Sequence, residues 1–333
     1  MRIAGLIILL VLFGGAAAWL WVQREMDRQA NAPLRIEQED TIEVPEGARL
    51  DDVIVLFKDR GLSAEGWWIR RFAIREGIDR RLQSGEYRML PGDSARSLFE
   101  RMVRGDVIRR RLTIVEGWTV AQMLNELRSA TLRQTEGLSP SNLSAALCID
   151  KTNPEGLFLP DTYDYTRRDK DVDVLRRAYD AMQEALQAAW ASRQPNLPYQ
   201  DAYAALIVAS MIEKETGIGS DRPLIASVFA GRLRAGMKMQ SDPTVIYGLG
   251  AAFDGNLTRL HLNTPNPYNT YTITSLPPTP IALPGQESLR ATFNHPELGY
   301  LYFVGRGDGS SQFSATLREH NKAVDTYQRR RRP

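Results

Sequence analysis

Glu213 is the residue most suggestive of chemistry. It ends the run Ala204-Ala-Leu-Ile-Val-Ala-Ser-Met-Ile212, which is apolar on nearly every face of a helix. A carboxyl at the rim of such a helix is poorly solvated, so it is expected to hold its proton toward neutral pH, as a general acid must. Ser210 and Ala209 share its face and leave room above it. Glu215 lies two residues on and projects about 200° away, so the two carboxyls cannot face one cleft on a regular helix. The competing reading of Glu213 is a buried carboxylate paired with Lys or Arg.

Two further clusters are dense in hydroxyls, amides and tyrosines. One is Met239-Gln-Ser-Asp-Pro-Thr-Val-Ile-Tyr-Gly248. The other is Asn266-Pro-Tyr-Asn-Thr-Tyr271, followed by the proline-rich stretch Leu276–Gly285. Such side chains hydrogen-bond sugar hydroxyls and N-acetyl groups, and aromatic faces stack on pyranose rings. Prolines hold a loop extended, which would also suit plain stiffening. Candidates for positioning a sugar are Glu215, Thr216, Gln240, Ser241, Asp242, Tyr247, Asn269 and Tyr271. Asp242 is the second carboxyl in rank, with helix capping before Pro243 as its alternative.

The elements that must carry these residues read as α+β. Helices are expected over Val172–Ser192, Asp201–Thr216 and Asp221–Arg234, the last capped by Asp221 with Pro223 in its first turn. A strand, turn and strand follow over Leu301–Ser314, and Thr316 with Glu319 has capping-box spacing for a last helix. Thr131–Ser144 reads as a loop. Nearer the N-terminus, Glu43-Val-Pro-Glu-Gly47, Tyr87-Arg-Met-Leu-Pro-Gly92 and Leu112-Thr-Ile-Val-Glu-Gly117 each precede an apolar helical pattern. The first two copies, within about seventy residues, resemble a LysM-like glycan-binding module; a generic small α+β subdomain is the alternative. Arg101, Arg104, Arg109, Arg110 and Arg111 read as a solvated face.

Ile3–Val22 carries no charge and is long enough to cross a bilayer; Trp19 and Trp21 near its end suit the interface. An uncleaved anchor is expected, with the bulk of the chain exported; a cleaved signal peptide is the alternative. The expected organisation is an anchor with a short tail over 1–22, a linker over 23–38, the LysM-like module over 39–112, a larger α+β domain over 113–328, and a basic tail over 329–333.

Composition narrows the field. The 333 residues hold 42 Lys+Arg against 40 Asp+Glu, a balance that does not point to nucleic acid. One cysteine excludes an internal disulfide framework and thiolate clusters, and three histidines supply little for a metal site. No cofactor or metal is expected. A Gly-x-Ser-x-Gly elbow and a His-Glu-x-x-His helix are absent, which argues against peptide or amide hydrolysis.

ASMIEKET at Ala209–Thr216, SDPTVIYG at Ser241–Gly248, NPYNTY at Asn266–Tyr271, YLYFVG at Tyr300–Gly305 and EHN at Glu319–Asn321 resemble, in order, the YceG/MltG family. The resemblance runs from the anchor to about Tyr327. It implies a membrane-anchored endolytic murein transglycosylase of the bacterial inner membrane, with Glu213 catalytic and a LysM-like N-terminal region. Implied partners are peptidoglycan glycan strands and the peptidoglycan synthases, the penicillin-binding proteins. The family's GLPPGPI-x-NPG is altered here to Ser275-Leu-Pro-Pro-Thr-Pro-Ile-Ala-Leu-Pro-Gly285, and Ser311-Gln312 stands where a hairpin histidine is common. A non-catalytic cell-wall scaffold is the rival reading.

Overall fold

A computed structural model describes residues 2–63 and 66–329. The expected basic tail falls almost wholly outside them. The chain divides into two compact units, Met1–Arg110 with Asp164–Arg168, and Arg111–Tyr163 with Asp169–Pro333. Both mix helix with short antiparallel sheet, and an apolar helix opens the chain.

In the first unit, α1 runs unbroken over Arg2–Asn31. Leu6–Trp21 is exposed throughout, whereas Met26 and Ala30 are buried in the unit's core. The expected linker over 23–38 is therefore corrected: its first half is helix with an i, i+4 apolar face, which a polar composition disguised. β1 (Asp40–Val44), α2 (Leu50–Asp59), α3 (Gly66–Arg75), β2 (Gly85–Met89) and α4 (Ala95–Arg104) follow. β1 and β2 pair antiparallel with Ile42 opposite Tyr87. Ile42, Val44, Tyr87 and Met89 face inward onto Phe57, Phe72, Leu98, Phe99 and Met102. Two of the arginines expected on a solvated face are paired instead. Arg101 binds buried Asp93 at 2.6 Å through two nitrogens, and Arg110 binds buried Glu86 at 2.6 Å.

β3 (Arg110–Thr113) and β4 (Thr162–Tyr165) have residues in both units; the second unit holds α5 (Val120–Ser129), α6 (Leu143–Ala146), α7 (Asp171–Ala191), α8 (Ala202–Glu215) and α9 (Arg222–Arg234). It continues with α10 (Asp242–Leu249), α11 (Arg259–Asn263), α12 (Gln286–Phe293), β5 (Tyr302–Gly305), β6 (Ser311–Ser314) and α13 (Leu317–Val324). β3 pairs with β4 and β5 with β6. The centre is α8. Asp201 caps it by accepting the Ala204 N–H at 2.7 Å, and every residue from Ala205 to Ile212 is buried. α7, α9, α10 and α12 pack around it, so a helix apolar on all sides has partners on all sides.

Two expected caps differ from the structure. Asp221 precedes α9 but does not cap it; its Oδ2 accepts the Ser311 N–H at 2.9 Å and fixes the β5–β6 turn. Ser241 occupies the N-cap position of α10, and Asp242 is its first helical residue before Pro243. The long loop at 131–144 is as expected until α6 begins at Leu143.

Candidate active site

The last turn of α8 sends three consecutive side chains in three directions about 100° apart, and each meets a different set of partners.

Glu213 points toward the start of α12. Its Oε2 accepts the Gly285 N–H at 3.0 Å and the Ser288 hydroxyl at 2.7 Å, and its Oε1 faces Arg222 at 3.4 Å. The side chain is 6 % exposed. Arg222 also lies 3.6 Å from Glu116, so one guanidinium serves two carboxylates. Burial and the Glu213 charge both raise the Glu116 carboxyl above its ordinary range. A Cβ on Gly285 would fall 1.8 Å from Glu116 Oε1, which shows how closely the 115–118 and 283–285 segments approach. They are joined by Gly117 N–H to Leu283 O at 2.9 Å and Leu283 N–H to Trp118 O at 2.7 Å. The arrangement contains both features weighed from the sequence: the carboxyl is desolvated, and it has an arginine partner.

Lys214 points elsewhere. Its Nζ donates to Gly117 O at 3.0 Å, and it lines a cleft of about 1050 Å³. Thr119, Gln122, Asn153, Glu155 and Tyr247 line the same cleft, with Ile246 and Ile281 as apolar wall. Glu155 is the carboxyl in this cleft. Its Oε1 accepts the Val120 N–H at 2.9 Å and its Oε2 accepts the Tyr247 hydroxyl at 3.1 Å. Burial pushes this carboxyl up to about 7, against three donors that favour its charge, the Val120 and Gly156 N–H groups and the Tyr247 hydroxyl. The Tyr247 phenol is pushed upward by burial and by the neighbouring Glu155 charge, so it stays a donor. Tyr268 packs edge-on against Tyr247, with centroids 4.9 Å apart.

Glu215 makes the third set. It accepts a short hydrogen bond from the Ser241 hydroxyl, and burial, aided by the Asp242 charge, pushes its carboxyl up to about 7. Asp242 Oδ1 accepts the Tyr271 hydroxyl at 2.6 Å. Gln240 is exposed, with a left-handed backbone (φ 51°), and its N–H donates to Thr270 O at 3.2 Å.

The remaining sequence candidates hold loops together. Thr216 Oγ1 accepts the Ile218 N–H at 3.0 Å and ends α8. Asn269 is 1 % exposed, and its Nδ2 donates to the carbonyls of His261, Leu262 and Thr264. Its amide is consumed by the loop, so it does not reach a sugar in this arrangement. Thr270 joins Ser241 N–H at 3.0 Å and Thr244 Oγ1 at 2.8 Å. Buried hydroxyls therefore stitch the two polar loops to each other.

The nine candidates thus fall into distinct neighbourhoods. Glu213 sits at the start of α12, and Tyr247 sits in the cleft. Glu215, Ser241, Asp242 and Tyr271 form one chain of contacts, with Gln240 beside it. Sequence reading missed Glu155, Lys214, Arg222 and Ser288. Glu155 carried a usable signal: a lone acid heading the apolar run Gly-Leu-Phe-Leu is a carboxyl about to be buried.

Residues 42–326 match the YceG-like family model. An endolytic murein transglycosylase of Bacillus subtilis (strain 168) is 36 % identical over 173 residues, 52 % of this chain and 48 % of that protein. One from Streptococcus pneumoniae serotype 2 (strain D39 / NCTC 7466) is 23 % identical over 326 residues, 85 % of this chain and 57 % of that protein. The chain therefore spans about half the length of the curated relatives it matches. The crystal structure of a YceG-like protein from Listeria monocytogenes is similar with a TM-score of 0.52 and 25 % identity, over 86 % of this chain and 99 % of that one. With the family model covering most of its length, the chain belongs to the YceG-like family.

Proposed function

We propose that this protein is an endolytic murein transglycosylase. It would cut the bond between N-acetylmuramic acid and N-acetylglucosamine within nascent glycan strands and leave 1,6-anhydro ends. The observation that carries this is the cleft beside the acidic end of α8. At about 1050 Å³ it stands at the top of the roughly 300–1,000 Å³ of a typical small-molecule site. Its lining of amides, hydroxyls and a tyrosine suits a run of sugar rings. Glu213 is the proposed catalytic residue: it protonates the glycosidic oxygen, and its carboxylate then takes the proton of the C6 hydroxyl on the same muramic residue. That hydroxyl attacks C1, and intramolecular attack has a high effective molarity, so no activated water is required. Gly285 N–H, Ser288 and Arg222 are placed to stabilise the carboxylate formed between the two proton transfers.

A second assignment of the acid is favoured by one observation. Glu155 lines the cleft and its carboxyl is raised to about 7, so a large fraction of it is protonated at neutral pH. On this reading Glu155 donates the proton and Glu213 receives the one from the C6 hydroxyl.

In the same proposal α1 is a single-pass anchor of the inner membrane and the second unit is exported. The β1–α2–α3–β2 unit binds glycan as a LysM-like module, and synthases of the penicillin-binding class supply the strands. The test is incubation of the detergent-solubilised full chain with peptidoglycan, read by mass spectrometry. Internal 1,6-anhydromuramic ends are expected, and Glu213→Gln should lower their yield by at least about 10²-fold. Reducing ends would mean a hydrolase. No product, with glycan binding retained, would mean a scaffold.

A further inference from the structure

We infer that the start of α3 is a second membrane contact, seated in the headgroup layer beside the anchor, with Trp67 and Arg71 against lipid. The inference rests on the reading of α1 as a bilayer span and is independent of catalysis.

The depth follows from the helix rise. From Ile3 to Trp21 α1 climbs about 27 Å, close to one hydrocarbon thickness, so Trp21 reaches the interface. Trp68 of α3 meets Trp21 edge-on with centroids 5.9 Å apart. Seven residues later, Arg75 binds Asp27 at 2.6 Å and Gln23 at 2.7 Å. The two helices therefore run side by side in the same sense, and α3 begins at the level of Trp21 and climbs away from the bilayer. Trp67 packs on Trp68 at 4.6 Å yet is 56 % exposed. Arg71 and Ile74 continue its face at i+4 and i+7, and both are exposed. The Arg71 guanidinium stands 5.2 Å over the Trp67 ring. An indole left more than half exposed, a guanidinium stacked on it and a bilayer fixed at the same height form a headgroup contact. The ring takes the interface, and the cation takes a lipid phosphate.

The experiment uses the full chain with Cys148→Ser, its single cysteine removed, and either Trp67→Cys or Arg104→Cys carrying an environment-sensitive fluorophore. Arg104 lies beside Glu76 and Arg81, past the far end of α3. Each protein is reconstituted singly in nanodiscs of phosphatidylcholine with phosphatidylglycerol, with or without a headgroup nitroxide lipid. Quenching at position 67 is expected to exceed that at 104 at least threefold, with the opposite order for aqueous iodide. Equal quenching at both positions overturns the inference. Failure of the protein to co-float with vesicles overturns the anchor reading and this inference with it, and leaves glycan cleavage in detergent unaffected. Arg71→Gln should at least halve the quenching at 67; no change overturns the phosphate contact.

Discussion

A carboxyl that keeps its proton to about pH 7 leaves two separate marks, one on rate and one on stability. For Glu155 the native state binds the proton more tightly than the unfolded chain does, because burial disfavours the charge. Its favourable contribution is therefore fully present below about pH 4.5 and lost as pH rises through about 7. Glu155→Gln retains an acceptor for the Val120 N–H and a polar atom for Tyr247. It should leave stability nearly unchanged at pH 5 and raise it at pH 8, by up to about 3 kcal/mol if the full shift is expressed. Urea denaturation at the two pH values measures this. If Glu155 is the acid, the wild-type rate also falls on the basic side near pH 7, and Glu155→Gln loses at least about 10²-fold in rate. If Glu213 does both steps, Glu155→Gln changes stability with pH but leaves the rate profile in place. Ser288→Ala tests the other carboxyl. It removes one of the donors on Glu213 Oε2 and leaves the Gly285 N–H, so turnover should fall roughly tenfold with the melting temperature moved by only a few degrees.

At the scale of elements, the loop from Asn153 to Leu159 decides whether Glu155 reaches the cleft. Gly156 has φ +79°, and a Cβ there would fall 2.4 Å from Pro280, a ring that cannot swing aside. Gly156→Ala is thus strained twice, by its left-handed backbone and by the clash. It should cost about 2–4 kcal/mol, read as a lowered denaturation midpoint with an unchanged slope. A midpoint within experimental error of wild type would show that the 276–285 segment can retreat. That loop and the helix it serves differ in how far the sequence revealed them. The helix α8 was legible from end to end, because an apolar run with Asp201 before it admits one reading. α12 was not: eight residues are too few to establish a period, and the prolines before it dominate the local signal. The polar loops were read as sugar-facing because hydroxyls and amides do both jobs. Only the fold shows that Asn269 and Thr270 turn inward.

At the scale of the molecule, the sequence conveyed an α+β chain with an apolar N-terminal helix, because length and composition suffice for both. It misjudged where the first helix stops. Gln23–Asn31 is rich in charge, and polar composition usually marks a linker. Yet Glu25 holds Arg28 and Gln29 at i+3 and i+4, Asp27 holds Arg75 and Arg96, and Met26 and Ala30 enter the core between them. The apolar N-terminal helix is therefore also a structural helix of the first unit. A shortened chain that begins at Pro33 loses Met26, whose burial alone is worth about 2–5 kcal/mol, together with the Asp27 ion pairs. Hydrogen exchange should show β1, α2, α3, β2 and α4 losing at least about 30-fold in protection, while α8 and α9 keep theirs. A chain ending its deletion at Trp21 retains Met26 and Ala30 and should restore protection throughout. Equal protection in all three proteins would mean that α1 beyond Trp21 only rests on the unit. Loss in both shortened chains would place the stabilising contact in the apolar segment up to Trp21.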